Sequence, residues 1–245
     1  MLFRSVPFSE FDTVFVGIGF ESTRIAGNVT NKSYRDYREL YGSSSTAIPL
    51  TLGWARDDRD SAISPTHGKF QRVNLEWSIA GDVRYLRANM QYQQYIPITN
   101  RFTLGLNGEL GVGKGLGNKP YPIFKNFYGG GLGSVRVFEQ GSLGVVDVTN
   151  NYIGGNRKAN VNAELYVPVP GGGNDKSLRL FGFMDAGNVW GENEKINFSD
   201  VRASAGIGLS WVSPVGPLKL SFGSPLRKKP NDRIQKFQFQ IGTAF

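Results

Sequence analysis

The stretch Ile234–Phe245 reads I-Q-K-F-Q-F-Q-I-G-T-A-F. Phe237, Phe239, Ile241 and Phe245 share one parity, and Gln238, Gln240, Gly242 and Ala244 share the other. A β-strand sends alternate side chains to opposite faces, so this segment has one apolar face and one polar or small face. In a soluble sandwich the apolar face would meet a core. In a membrane barrel it would meet lipid, with the polar face lining the lumen. One strand does not separate the two, so the reading moves outward along the chain.

The same alternation recurs. Ile48, Leu50, Leu52 and Trp54 alternate with small or polar residues, as do Val73, Leu75, Trp77 and Ile79, then Leu86, Ala88, Met90 and Tyr92. Phe102, Leu104, Leu106, Leu110 and Val112 follow, then Val161, Ala163, Leu165 and Val167 opposite Asn160, Asn162, Glu164 and Tyr166. Ala203, Ala205, Ile207, Leu209 and Trp211 oppose Arg202, Ser204, Gly206, Gly208 and Ser210, and Leu218, Leu220 and Phe222 oppose Lys219, Ser221 and Gly223. Two strands are less regular. Phe15 departs from the face of Val14, Val16, Ile18 and Phe20, and in Leu178–Trp190 Phe181 and Phe183 share parity with Arg179 and Asp185. The pattern predicts about ten strands, many near the roughly 9–11 residues a membrane strand needs. No segment sustains a 3.6-residue period, so low helix content is expected.

Connection lengths carry a second signal. Tyr95–Arg101 and Ser213–Pro217 are short, Asp57–Gly68 and Pro168–Ser177 are intermediate, and Ala26–Ser45, Lys114–Lys158 and Gly191–Asp200 are long. Short turns on one side and long loops on the other are the asymmetry of an up-and-down membrane barrel. A β-sandwich would turn both apolar faces inward and keep its loops short at both ends. The fold expected is therefore all-β, an antiparallel up-and-down transmembrane β-barrel, with the carboxy terminus on the short-turn side.

Composition bounds the chemistry. The 245 residues include no cysteine, one histidine (His67), 32 glycines and 13% aromatics, at net charge +8. No disulfide or thiolate metal site is available. No run reaches the roughly 18 apolar residues of a membrane-spanning helix, and the start M-L-F-R-S-V-P-F lacks the parts of a secretory signal. The positive charge favours anionic partners such as phospholipid or lipopolysaccharide, and Arg227, Lys228, Lys229, Arg233 and Lys236 cluster near the last long-side connection. Nucleic acid has only this charge in its favour and is not expected as a partner.

The connection Lys114–Lys158 contains N-F-Y-G-G-G-L-G-S-V-R-V-F-E-Q-G-S-L-G at Asn126–Gly144. This resembles the lumen-folded loop of the BamA-type insertases, the Omp85-type outer-membrane protein assembly family, whose signature is V-R-G-F or V-R-G-Y after an F-Y-x-G-G run. The resemblance continues in A-E-L at Ala163–Leu165, F-M-D-A-G-N-V-W at Phe183–Trp190, W-V-S-P-V-G-P-L-K at Trp211–Lys219, P-L-R-K-K-P at Pro225–Pro230 and F-Q-F-Q-I-G-T-A-F at Phe237–Phe245. Upstream, D-S-A-I-S-P-T-H-G at Asp60–Gly68 is similar to a periplasmic turn of the family. It covers essentially the whole chain in the right order.

Several expectations follow from the resemblance. Residues 1–245 would be the carboxy-terminal portion of a sixteen-strand barrel, with about ten strands present and a lumen-folding loop at about 114–158. Met1–Val6 would be the stub of a preceding strand and Val6–Asp12 a turn. The periplasmic arm of small α/β modules, the signal peptide and about six strands would lie outside the chain. Arg136 would be held by Glu164 and Asp185 as a lumen clamp on the loop, with Phe138 completing the motif. Val137 stands where the family has glycine; a β-branched residue does not readily take φ > 0. The function implied is assembly and insertion of β-barrel proteins into the outer membrane of a Gram-negative bacterium. It needs no catalytic residue, cofactor or metal. Substrate strands would add at the edge of the last strand, where Gly242 would loosen the seam. Phe237, Phe239 and Phe245 would form the carboxy-terminal signal. Partners implied are unfolded outer-membrane proteins, lipoproteins of an assembly complex reached through the arm, lipid and lipopolysaccharide. Without its other strands the chain would close as a ten-strand barrel, oligomerise or remain a curved open sheet; unpaired edges in lipid disfavour the last.

Other readings are a two-partner-secretion or autotransporter-assembly translocator of the same superfamily, and a passive outer-membrane channel. A rim protease would need His67 beside a serine. Asp57, Asp58 and Asp60 lack an EF-hand spacing, and Gly129–Gly133 lacks the Lys-Ser/Thr of a phosphate loop.

Overall fold

The computed structural model describes residues 2–27, 30–169, 177–214 and 216–242. Its strands are β1 (Leu2–Pro7), β2 (Asp12–Ile18), β3 (Glu21–Arg24), β4 (Ser44–Asp57), β5 (Gly68–Gly81), β6 (Tyr85–Pro97), β7 (Thr103–Gly115), β8 (Val145–Val146), β9 (Tyr152–Gly154), β10 (Arg157–Pro168), β11 (Leu178–Trp190), β12 (Arg202–Ser213), β13 (Gly216–Arg227) and β14 (Phe237–Ile241). One antiparallel sheet runs β1-β2-β4-β5-β6-β7-β10-β11-β12-β13-β14, and β3 pairs with β4 beyond the end of β2. β2 and β3 thus form one interrupted strand along β4. Counting them as one and β1 as the stub leaves the ten strands expected. The short β8 and β9 pair with each other inside the long loop.

Among the described residues β1 and β14 do not pair, so the sheet is open. Of the outcomes the sequence left available, the single chain takes the open one and not ten-strand closure. The sheet wraps around the segment 116–156, which lies against its concave face. Loop aromatics seat on inward glycines of β7. A Cβ on Gly111 would lie 2.7 Å from the Phe127 ring, and one on Gly113 would lie 2.3 Å from the Tyr121 ring.

Side-chain exposure decides between barrel and sandwich. On β10, Val161 is 59% exposed while neighbouring Asn160 is 2% exposed. Leu110, Val112, Met184, Ile207 and Phe222 are also exposed, whereas Ser204 and Ser221 on the opposite parity are buried. The apolar parity faces outward around the sheet. That is the reverse of a soluble sandwich and matches a wall facing hydrocarbon.

Two local features depart from simple alternation. Pro49 sits within β4, where it donates no ladder hydrogen bond. The register slips between Ile48 and Pro49, pairing Ile48 with Ala80 and Pro49 with Ser78, so a bulge accommodates the proline. The second is a helix the periodicity reading did not foresee, α1 (Lys32–Tyr41). Asn31 caps its start by accepting from the Tyr34 N–H, and Gly42 ends it at φ 91°. Tyr37 is buried against Phe124, with the rings edge to face at 6.2 Å. The signal was the Asn-to-Gly bracket around a ten-residue segment, too short to register as a sustained period.

Candidate functional site

The tip of the inner loop carries a buried ion cluster. Arg136 is 2% exposed. Its backbone N–H donates to Asp185 Oδ2 at 2.9 Å, its Nε to the same oxygen at 2.7 Å, and its Nη2 to Asp185 Oδ1 at 2.7 Å. Nη1 donates to Glu164. Asp185 comes from β11 and Glu164 from β10, adjacent strands whose polar parity faces inward. Burial alone would work against the guanidinium charge. The neighbouring Glu164 and Asp185 outweigh that and hold the Arg136 pKa above the ordinary arginine value.

Phe181 and Phe183 break the polar alternation of β11 for a reason the structure makes plain. The Arg136 guanidinium lies 3.9 Å from the Phe183 ring centroid and 5.6 Å from that of Phe181. A desolvated cation over an aromatic face gains electrostatic attraction. The rings need room, and β12 provides it: a Cβ on Gly208 would fall 2.3 Å from the Phe181 ring, and one on Gly206 would fall 2.7 Å from that of Phe183.

Sequence reasoning missed three members of this constellation. Lys219, from β13, donates to both Glu164 oxygens at 2.8 Å. Tyr166 donates its hydroxyl to Glu164 Oε2. With Lys219, the cluster holds two cations and two carboxylates and is neutral. The signal available was Lys219 on the inward parity of its strand, but no local pattern says which carboxylate it faces across the lumen. Gln238 is the third. It is 5% exposed on the inner face of β14, donates from Nε2 to the Phe138 carbonyl at 2.7 Å, and accepts at Oε1 from the Val137 N–H at 3.3 Å.

The loop tip is also paired by its backbone to the approach to β14. Gln235 N–H donates to the Val137 carbonyl at 2.7 Å, Glu139 N–H donates to the Arg233 carbonyl at 3.0 Å, and Phe138 bridges to Ile234. Phe138 is fully buried with Val135 and Leu143. Val137, 1% exposed, lies at φ 76°. That is left-handed backbone, where a β-branched residue is strained by about 1–3 kcal/mol. Glycine, which the resemblance leads one to expect here, would adopt this backbone without that strain. Here a valine is held in glycine's conformation by the pairing on either side of it.

On β14 itself, Phe237, Phe239 and Ile241 are exposed on the outer face. Gly242 follows at φ 91°, and its N–H donates to the Pro217 carbonyl at 2.8 Å. Phe245 lies outside the described residues. Elsewhere, His67 is largely exposed, with Nδ1 3.3 Å from Asp60. Asp57 binds Arg59, Asp58 accepts from the Lys69 N–H, and Asp60 accepts from Thr66. These carboxylates build a turn. Part of the basic cluster near the last connection is engaged internally: Lys229 pairs with Asp200 at 2.6 Å, Arg227 donates to the Ser199 carbonyl and Arg233 to that of Asn150.

An antiparallel wall with an outward apolar face, carrying a long loop whose arginine is sequestered on two wall carboxylates, defines a protein of the membrane β-barrel class. The chain belongs to the Omp85 superfamily: the model of the Omp85 superfamily domain matches residues 2–245. It is 40% identical to the outer membrane protein assembly factor BamA of Neisseria meningitidis serogroup B, over 98% of this chain and 35% of that protein. It is 30% identical to the sorting and assembly machinery component 50 homolog of Bos taurus, over 77% of this chain and 44% of the relative. BamA from Haemophilus ducreyi lacking POTRA domains 1–3 superposes with TM-score 0.88 at 26% identity, covering 97% of this chain and 52% of that one. The chain thus spans between about a third and a half of the length of these relatives. CdiB from Acinetobacter baumannii, at 14% identity and TM-score 0.58, shares the fold.

Proposed function

We propose that the chain is the carboxy-terminal part of an outer-membrane barrel that assembles and inserts other β-barrel proteins in a Gram-negative bacterium, by mechanical means and without catalysis. Support for the assembly role comes from the 40% identity to a BamA across 98% of the chain. The observation that carries the mechanism is the direct joint between the docked loop and the last strand. Gln238 and residues 233–235 hold residues 137–139, and Arg136 is in turn held by β10 and β11.

Incoming strands add along the outer edge of β14, beside which no further strand of the sheet runs among the described residues. β14 is short, and the left-handed Gly242 ends it. A short edge strand offers few ladder bonds, so a substrate strand paired there is held weakly and is released easily. The ion cluster fixes the loop, and the loop fixes the approach to β14, so the edge is presented in one position. Phe237 and Phe239 keep that edge at the level of the lipid. Lipid and lipopolysaccharide contact the outer wall, and lipoprotein partners act through segments outside this chain.

The test is depletion of the gene that encodes the chain in its host, followed by heat-modifiable mobility of several unrelated outer-membrane barrels. Folded forms of all of them should fall together. Loss of one exported protein, with other barrels unaffected, would assign the chain to translocation and overturn the proposal.

A further inference from the structure

The connection that leads into β14 is anchored to the wall as well as to the docked loop. β13 runs to Arg227, but its ladder with β14 covers only Leu218–Phe222 against Phe237–Ile241. Ser224, Pro225 and Arg227 pair with β12 instead. The ladder therefore leaves open where the chain re-enters the sheet, and residues 228–236 decide it.

Within them Asp232 meets Arg202, the first residue of β12. Arg202 Nε donates to Asp232 Oδ2 at 3.1 Å and Nη2 donates to Oδ1 at 2.9 Å, the two-pronged geometry in which a guanidinium holds a carboxylate best. The two side chains are 8% and 3% exposed, so water screens the pair little. Arg202 Nη1 donates to Asn188 Oδ1 at 2.6 Å and to the Asp200 carbonyl at 3.1 Å, which fixes the guanidinium on β11 and on the segment entering β12. Asp232 in turn closes a turn of the connection. Its Oδ2 accepts from the Lys229 N–H at 2.7 Å, and its own N–H donates to the Lys229 carbonyl at 3.2 Å. The docked loop reaches the same connection through Tyr152, whose hydroxyl donates to the Asn231 carbonyl at 3.1 Å. The three residues after Asp232 are the ones that pair with the loop tip: Arg233 with Glu139, Ile234 with Phe138 and Gln235 with Val137.

We infer that Arg202 and Asp232 are positioning residues for β14, a second anchor that holds the approach to the strand from the wall rather than through the docked loop. Arg136 reaches β14 only by way of the loop tip. Arg202 reaches it through the connection itself, and displacing Asp232 would strand two buried charges. The consequence for strand addition rests on the proposed assembly role; the positioning does not.

The test uses the full protein that carries this chain, folded in detergent micelles, and reads amide hydrogen exchange. Asp232→Asn should speed exchange across Phe237–Ile241 ten-fold or more and leave the Arg136 amide within three-fold. The same ten-fold step should appear when Asp232→Asn is added to Asp185→Asn, where the loop tip is already loosened. Arg202→Lys keeps the charge and should fall between the unaltered protein and Arg202→Gln, a graded response that side-chain packing alone does not produce. Exchange across Phe237–Ile241 within three-fold in Asp232→Asn, with any acceleration confined to residues 228–232, would overturn the inference. So would Arg202→Lys and Arg202→Gln variants that behave alike, and this comparison decides alone should Asp232→Asn fail to fold. Folded yields of several outer-membrane barrels in cells, measured on the same variants, separate the two claims. Faster exchange with lower yields supports both. Faster exchange with unchanged yields keeps the positioning pair and counts against β14 as the receiving edge.

Discussion

Replacing Asp185 by asparagine tests the ion cluster where it is most exposed to failure. Both side chains of the pair are buried, Arg136 at 2% and Asp185 at 0% exposure, so solvent screening does not soften the loss. Asparagine keeps the shape but removes the charge and one of two acceptor oxygens. Its amide N–H would point at a guanidinium N–H, donor against donor. Breaking one side of a buried pair costs about 3–5 kcal/mol. At 1.4 kcal/mol per decade, opening of the loop tip should rise by about two to nearly four orders of magnitude. Hydrogen exchange at the amides of Arg136 and Val137 reads this directly, as does proteolysis within residues 116–156. A control sets the sign of the interaction. Arg136→Met combined with Asp185→Leu removes both charges and leaves Glu164 with Lys219, so the double variant should lose far less than the sum of the single ones. An Asp185→Asn loop that exchanges within three-fold of the unaltered protein, or a double variant whose losses simply add, would refute the reasoning.

Three further outcomes are expected. Val137→Gly should be no less stable than Val137→Ala in denaturant titration. Both lose the buried side chain, but only glycine relieves the φ 76° backbone, which inverts the usual disadvantage of glycine of about 0.5–1 kcal/mol. Gln238→Leu should speed exchange across Phe237–Ile241 while the side-chain contacts of Arg136 persist, because it removes the bonds to the Phe138 carbonyl and Val137 N–H and leaves the Asp185 bonds in place. Asp147 ties the long loop to the start of α1 by accepting from the Lys32 N–H at 2.8 Å. Slight burial works against its charge, but the Thr149 hydroxyl and the backbone N–H groups of Asn151, Thr149 and Ser33 outweigh that and lower its pKa from 3.8 to about 2. A lowered folded pKa gives stability that is full above 3.8 and lost as pH falls through about 2. Exchange protection of Lys32–Tyr41 should therefore fall between these values, and Asp147→Asn should remove the pH step.

Alternation made the wall legible. The parities of Val161 and Asn160, or of Ile207 and Ser204, are those seen in the structure, because a two-residue period with one wet face leaves little freedom of register. The long loop was legible as a long connection, and its place in the lumen came only from resemblance. A turn-rich glycine segment has no period to read. Within the site, Arg136, Glu164 and Asp185 lie together. Lys219 and Gln238 do not announce themselves, since a lysine or glutamine on an inward parity looks the same whether it meets water, a carboxylate or a loop carbonyl. Phe181 and Phe183 looked like irregularities and are the floor on which the arginine rests. Helix α1 was hidden because ten residues are too few to sustain a helical period, and the side chain it buries is a single tyrosine, Tyr37.

The central claim is that the outer edge of β14 receives incoming strands. It is tested most directly by photo-crosslinking in living cells, with the probe placed in turn at Phe239 on β14 and at Val161 in the middle of the wall. The account predicts adducts with newly exported barrel chains at Phe239, transient and lost once those chains fold, and none at Val161. Equal capture at both positions, or capture at Val161 alone, would contradict it.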